Sequence, residues 1–159
     1  MSDNPLSDIF RSSCFWSALS AWLVAQFCKM LHGFYRTHRL DFSYLVRTGG
    51  MPSAHSALVS GLTLTIGLRN GFGSPLFVLA LALAAVVMFD AATVRRAAGV
   101  QARLLNEIID ELFKEHRLSE RKLADLLGHT RLEVFLGMVI GILVSLLVTS
   151  AATLRWPPA

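Results

Sequence analysis

Apolar residues are gathered into four blocks along the chain, and polar segments separate these blocks. The pattern predicts membrane-spanning helices at about residues 14–32, 52–69, 75–90 and 132–154. The second and third spans are short against the roughly 20 residues that a bilayer usually requires. We expect local thinning of the bilayer or flanking turns to accommodate them.

The composition favours the same class of protein. Hydrophobic residues occupy 53% of the 159 positions and charged residues only 16%, with a mean hydropathy of +0.52. A soluble domain usually carries about a quarter charged residues. The first block lacks a preceding basic region and a cleavage site, so it is interpreted as a retained span. We therefore predict an all-α integral membrane protein that forms one domain over residues 1–159.

The segment 97–128, between the third and fourth blocks, has a different pattern. Apolar residues recur in pairs four positions apart, and acidic and basic residues fill the gaps, which predicts an amphipathic helix. Ser119 is a candidate N-cap for a second, short helix over 120–127. The apolar stripe has four possible contacts: the membrane surface, a nearby site, a second copy of the chain, or the body of its own protein. We favour the last interpretation.

Alternation of the four spans predicts which helix ends share a membrane face. The end of the first span, the start of the second, the end of the third and the start of the fourth lie together. Of the 15 Lys and Arg residues, 12 lie in 29–51 or 93–131, which belong to this face. The positive-inside rule then predicts that this face is cytoplasmic and that both termini are outside. Because the basic residues lie between apolar blocks, nucleic acid is not an expected partner.

A candidate anion site begins the second span, in the stretch GGMPSAHSALVSG from Gly49 to Gly61. Pro52 suits the first turn of a helix, where its missing N–H group is not needed. The unpaired N–H groups of that turn favour an anion, and Ser53 and His55 lie among them. The alternative interpretation is an ordinary turn followed by an interfacial histidine.

The start of the fourth span supplies a second histidine. His129 and Glu133 lie four residues apart, so a carboxylate can orient the imidazole on one helix face. One histidine could attack phosphorus while the other protonates the departing oxygen, a scheme that needs neither a metal nor another cofactor. In the alternative metal site, His55 or Asp90 completes the pair; we instead interpret Asp90 as an ion-pair partner of the neighbouring arginines.

Basic residues at the same face complete a candidate phosphate-ester site. Basic side chains and helix N-termini hold phosphoryl oxygens and stabilise the charge of the transition state. The basic candidates are Lys29, Arg36, Arg95 and Arg96. The alternative is that these four residues only determine topology and contact lipid headgroups.

Three stretches, GGMPSAHSALVSG, DAATVRRAAGVQARLLNE and LLGHTRLEVFLG, resemble the divergent branch of the type 2 phosphatidic acid phosphatase and vanadium haloperoxidase superfamily. The resemblance covers about 45–140. Lys29 and Arg36 have the superfamily's six-residue gap, with Thr37 in place of proline, and Ala54 replaces the glycine of Pro-Ser-Gly-His. Glu133 replaces the usual aspartate. The Ser-Arg pair expected before His129 is missing at its usual distance.

This resemblance implies a role for each candidate residue. His129 would be the nucleophile, Glu133 its orienting carboxylate and His55 the general acid. The phosphate would be held by Lys29, Arg36, Ser53 and one of Arg95 and Arg96, with Val94-Arg95 displaced upstream by the amphipathic insertion.

The implied function is an acid-phosphatase-like membrane hydrolase that acts on a lipid phosphate or another phosphomonoester through a phosphohistidine. Its expected partners are membrane lipids, the phosphorylated substrate and a second copy bound through the amphipathic helix or through Gly137 and Gly141, whose spacing permits close helix contact. The alternative is a non-catalytic multi-pass protein that binds anionic lipid or a partner through its basic face. Haloperoxidase activity is disfavoured because those proteins resemble larger soluble folds.

Overall fold

The computed structural model describes residues 5–38, 50–112 and 129–155, and every regular element in these ranges is an α-helix. The prediction of an all-α fold is confirmed. The helices are α1 (Pro5–Arg11), α2 (Ser13–Thr37), α3 (Ala54–Asn70), α4 (Pro75–Ala92), α5 (Val94–Leu112) and α6 (Arg131–Arg155).

Helix α3 is the centre of the bundle, because α2, α4 and α6 all pack against it. Its buried face consists mainly of small and hydroxyl-bearing residues. Small residues let helix backbones approach closely where no large side chain intervenes. A Cβ atom at Gly61 would lie 3.0 Å from the Cβ of Ala21 and 3.3 Å from the carbonyl oxygen of Gly141. The three helices α2, α3 and α6 are therefore packed almost backbone to backbone.

Hydroxyl groups join α3 to each of its neighbours. Ser17 of α2 donates to the carbonyl oxygen of Gly61 at 3.2 Å, and Ser60 donates to Met138 of α6 at 3.2 Å. Such bonds between membrane helices contribute about 0.6 kcal/mol each on average. Two further bonds are Thr63 to the carbonyl of Ala80 at 3.1 Å and Thr65 with Ser145 at 2.8 Å.

Three of the described helices are long and apolar enough to cross a membrane: Ser13–Tyr35, Pro75–Ala92 and Arg131–Ala152. Helix α4 illustrates this, since Leu79 and Val86 expose more than half of their side-chain surface, as lipid-facing residues would. Helix α3 has 17 residues and a more polar composition, which its central position allows. The chain is thus a helical membrane protein, and α3 as a fourth span remains a prediction.

Helix α5 begins at Val94, three residues before the predicted amphipathic segment. Its described part packs on α4, and Val100, Leu104, Leu105 and Ile108 are each about half exposed. About half of the surface of each of these four side chains is therefore covered, and the contact favoured for the apolar stripe remains a prediction. Residues 113–128, with the predicted Ser119 cap and the helix over 120–127, lie outside the described residues.

Gly137 and Gly141 contact α3 of the same chain. A Cβ atom at Gly137 would overlap the carbonyl oxygen of Ser53, and one at Gly141 would overlap the carbonyl oxygen of Ala57 and the hydroxyl of Ser60. This pair of glycines serves packing within the chain, and its suggested role in an oligomer interface remains a prediction. An oligomer formed through the amphipathic helix remains a prediction.

Candidate functional site

The start of α6 is closed by a reciprocal capping arrangement. The N–H of Glu133 donates to the hydroxyl of Thr130 at 3.3 Å, while the N–H of Thr130 donates to the Glu133 carboxylate at 3.1 Å. Threonine followed three residues later by glutamate is the usual sequence of a capping box. The carboxylate of Glu133 is therefore held in place by the helix start itself.

The same carboxylate oxygen also contacts His129. The Nδ1 atom of His129 lies 3.0 Å from Oε2 of Glu133, and the histidine is only 3% exposed. Because a carboxylate accepts hydrogen bonds, the geometry assigns an N–H to Nδ1, and in the corresponding neutral tautomer the lone pair is on Nε2. The arrangement thus fixes the orientation of the His129 ring, and the contact is the one that the four-residue spacing predicts.

The start of α3 is fastened to this part of α6. The N–H of Ser53, the N-cap of α3, donates to the carbonyl oxygen of Glu133 at 3.0 Å. The Ser53 hydroxyl is fully buried and accepts from the N–H and the hydroxyl of Ser56, at 3.4 and 3.0 Å. Its own proton is left to be donated to another group. The absence of a Cβ at Gly137 permits this close approach.

Lys29 brings a buried positive charge from α2. The residue is 4% exposed, and the Glu133 carboxylate attracts its ammonium group. Gly50 covers the side chain: a Cβ at that position would lie 3.6 Å from Cγ of Lys29, and its φ of +85° favours glycine. Burial of an ammonium group is costly unless a charged partner accompanies it. Glu133 is therefore shared by a helix cap, a histidine and a lysine.

The structure thus brings together four of the predicted residues from three helices: Lys29, Ser53, His129 and Glu133. His55 lies in the first turn of α3, two residues beyond Ser53, and its side chain is exposed. An exposed position suits a group that exchanges protons with water.

The three arginines of the predicted site lie near helix ends. Arg36 is in the last turn of α2, and Arg95 and Arg96 are in the first turn of α5; their side chains are outside the described residues. Their contact with phosphate remains a prediction. The end of α4 lies near the start of α6, and a cavity of about 390 Å³ lies between them. Its lining includes Phe89 and Arg131.

Among residues 5–38, 50–112 and 129–155, no group of three or more His, Cys, Asp or Glu side chains could hold a metal ion. The metal-site alternative therefore lacks a third ligand within these ranges. Neither His55 nor Asp90 completes such a set with His129 and Glu133.

Two structural residues of the site were missed from the sequence. Thr130 caps α6, and the Thr-x-x-Glu pattern directly after His129 could have indicated it. Gly50 lies over Lys29, but its sequence position beside Gly49 gave no indication of that contact.

Comparison with known proteins assigns the sequence to a family. The sequence profile described as the divergent PAP2 family matches residues 10–144. An uncharacterized membrane protein, YuiD of Bacillus subtilis (strain 168), is 38% identical over 141 residues, which cover 82% of this chain and 89% of that protein. No solved structure matches the chain significantly. From the extent of both matches, the chain belongs to the divergent PAP2 family.

Proposed function

We propose that this protein is a membrane phosphatase that hydrolyses a phosphomonoester through a phosphohistidine at His129. The observation that carries the proposal is the 3.0 Å contact of Nδ1 of the buried His129 with the carboxylate of Glu133. Family membership supports the reaction class, since the divergent PAP2 family resembles phosphatases that use such a histidine.

The first half-reaction transfers the phosphoryl group to the protein. Nε2 of His129 attacks phosphorus, the bond from phosphorus to the ester oxygen breaks, and His55 gives its proton to the departing alcohol. Glu133 stabilises the positive charge that develops on the His129 ring. The products of this step are the free alcohol, a phosphohistidine and a deprotonated His55.

The second half-reaction restores the protein. His55 takes a proton from water, the resulting hydroxide attacks phosphorus, and the bond to Nε2 breaks. Inorganic phosphate leaves, and both histidines return to their initial states. Lys29, the hydroxyl of Ser53 and one of Arg95 and Arg96 neutralise the phosphoryl oxygens in both steps.

A lipid phosphate is the favoured substrate. The cavity between α4 and α6 is lined mainly by apolar side chains, and Arg131 lies at the start of α6 beside the site. Such a cavity suits an acyl chain whose phosphate reaches the buried lysine. Action at the cytoplasmic face follows from the distribution of Lys and Arg along the chain.

Vanadate binding tests the site without knowledge of the substrate, because vanadate adopts the five-coordinate geometry of phosphoryl transfer. We expect the purified protein in detergent to bind vanadate, and His129→Gln to abolish binding. His32→Gln is a matched control, since His32 is an exposed histidine of α2. Equal binding by His129→Gln and the wild type would refute the mechanism. Absence of binding in the wild type, with binding to anionic vesicles retained, would favour the non-catalytic alternative.

A further inference from the structure

Another cavity among the described residues lies at the other end of the bundle from His129. Its volume is about 780 Å³, and it is bounded by the end of α1, the start of α2, the end of α3 and the end of α6. The lining residues are Arg11, Ser13, Trp16, Arg69, Val148, Ala151 and Ala152. No part of the proposed reaction uses this cavity.

Arg11 and Arg69 both line the cavity. Arg69 ends α3 and donates from Nε to the hydroxyl of Ser13 at 3.0 Å, which orients its guanidinium across the start of α2. The indole N–H of Trp16 donates to the carbonyl oxygen of Phe10 at 2.7 Å and holds α1 against α2. Arg11, the last residue of α1, is thereby brought to the rim.

The rest of the lining is apolar. Trp16 forms one side, and Val148, Ala151 and Ala152 of the last turns of α6 form the other. These residues lie at the limits of candidate spans, because Ser13 begins one span and Ala152 ends another. The cavity therefore lies where the hydrocarbon core of a bilayer would meet its headgroups. Aromatic residues such as Trp16 are enriched at that depth.

The charge of the cavity has one sign. None of its seven lining residues is acidic; Asp8 of α1 is exposed and lies outside the lining. Arginine binds phosphate through a planar fork of donors, which matches the geometry of a phosphodiester. Neighbouring apolar surface favours burial of a hydrocarbon chain. Both halves of a phospholipid thus find complementary groups.

We propose that this cavity binds an anionic glycerophospholipid of the leaflet opposite the histidine site. The phosphate lies between Arg11 and Arg69, and one acyl chain lies along Trp16 and the small residues of α6. The lipid joins α1, α2, α3 and α6 at the end of the bundle where no buried charge pair is found among the described residues. The proposal does not depend on phosphatase activity.

Lipid counting by native mass spectrometry of the full chain in detergent tests the headgroup contacts. The probe is palmitoyl-oleoyl phosphatidylglycerol, with phosphatidylcholine of the same chains for comparison. We expect Arg69→Gln to weaken phosphatidylglycerol binding about fivefold, the effect of one basic residue at an anionic membrane surface. Asn70→Ala, at an exposed position next to Arg69 but outside the lining, should change this affinity little.

A second pair of variants tests the acyl-chain contact without changing charge. Ala151→Trp fills the cavity and should reduce phosphatidylglycerol binding by a further comparable factor. Leu147→Trp is the matched control, because Leu147 is 69% exposed and outside the lining. The comparison uses variants that are monodisperse and that have the same thermal midpoint of unfolding as the wild type.

Three results would overturn the proposal. Equal binding of phosphatidylglycerol and phosphatidylcholine would remove the role of net headgroup charge. Full competition by glycerol 3-phosphate at the same concentration would assign the cavity to a free phosphate ester. Unchanged binding in both Arg69→Gln and Ala151→Trp would show that the lipid binds elsewhere on the protein.

Discussion

The two ends of the helical bundle use positive charge in different ways. At the histidine end, Lys29 and His129 are almost completely buried, and both interact with one carboxylate, that of Glu133. At the other end, Arg11 and Arg69 are exposed at the rim of an open cavity. Buried charges are strongly coupled and are held in one geometry, whereas exposed charges are screened by water. The first arrangement suits chemistry, and the second suits reversible binding.

Replacement of Glu133 gives the largest expected effect. Glutamine at position 133 can still accept from the N–H of Thr130, so the capping box and the fold are preserved. It cannot stabilise a positively charged His129 ring. We expect Glu133→Gln to lower phosphomonoesterase turnover about 10⁴-fold, as in hydrolases that lose the carboxylate behind a histidine.

The measurement is hydrolysis of a soluble phosphomonoester in detergent, together with the thermal midpoint of unfolding. Loss of turnover at an unchanged thermal midpoint would separate the role of Glu133 toward His129 from its role in the cap of α6. Full turnover in Glu133→Gln would contradict the assignment of this carboxylate.

Loss of the buried lysine should have the next largest effect. Lys29→Gln removes a buried ammonium group that the proposed site offers to an anion, and we expect vanadate affinity to fall about a hundredfold, because a hydrogen bond to a charged group contributes about 1.5–3 kcal/mol. Arg69→Gln removes one exposed charge and should leave vanadate affinity unchanged. If both variants lowered vanadate affinity equally, the buried and the exposed cation would not differ in their effect on vanadate binding.

A smaller effect is expected where α3 and α6 approach most closely. A Cβ at Gly137 would overlap the Ser53 carbonyl, so Gly137→Ala should destabilise the protein by about 1–3 kcal/mol and displace the start of α3. Gly73→Ala is the control, since no atom lies within 4 Å of a Cβ built there. Denaturant unfolding in detergent measures the difference in the free energy of unfolding. Equal values for the two variants would mean that α3 and α6 can move apart without loss of stability.

The smallest effect is expected at the open cavity. Ser13→Ala removes the acceptor that orients Arg69 but keeps its charge. We expect phosphatidylglycerol affinity to fall about twofold, the usual magnitude of an exposed polar contact. Native mass spectrometry provides the measurement, and a loss as large as that of Arg69→Gln would assign the serine, rather than the charge, as the main contact.

The sequence predicts the parts of this molecule that depend on local geometry. The four apolar blocks correspond to α2, α3, α4 and α6, because each block is long enough to form its own helix. His129 and Glu133 meet because residues four apart on a helix are neighbours. Convergence of Lys29 and Ser53 follows from alternating helix directions.

Features that depend on contacts between distant segments were not predictable in the same way. The use of Gly137 and Gly141 within the chain requires knowledge of which helix faces them. The folding of α1 against α2 uses a hydrogen bond from Trp16 to the carbonyl of Phe10 and a ring contact between Phe10 and Phe15. The part of α5 that remains exposed also could not be inferred, because an amphipathic pattern does not identify what covers its apolar face.

The double role of Glu133 makes fraying of α6 and loss of the oriented histidine a single event. When the first turn of α6 opens, the Thr130 N–H loses its acceptor and the Nδ1 atom of His129 loses its partner at the same moment. The rate of hydrogen exchange of the Thr130 amide therefore measures the fraction of time for which Glu133 is bonded to the His129 imidazole. Unlike aspartate, glutamate at the third position of a helix is long enough to reach back to the N-cap. The longer carboxylate thus couples the helix cap to the orientation of the His129 ring.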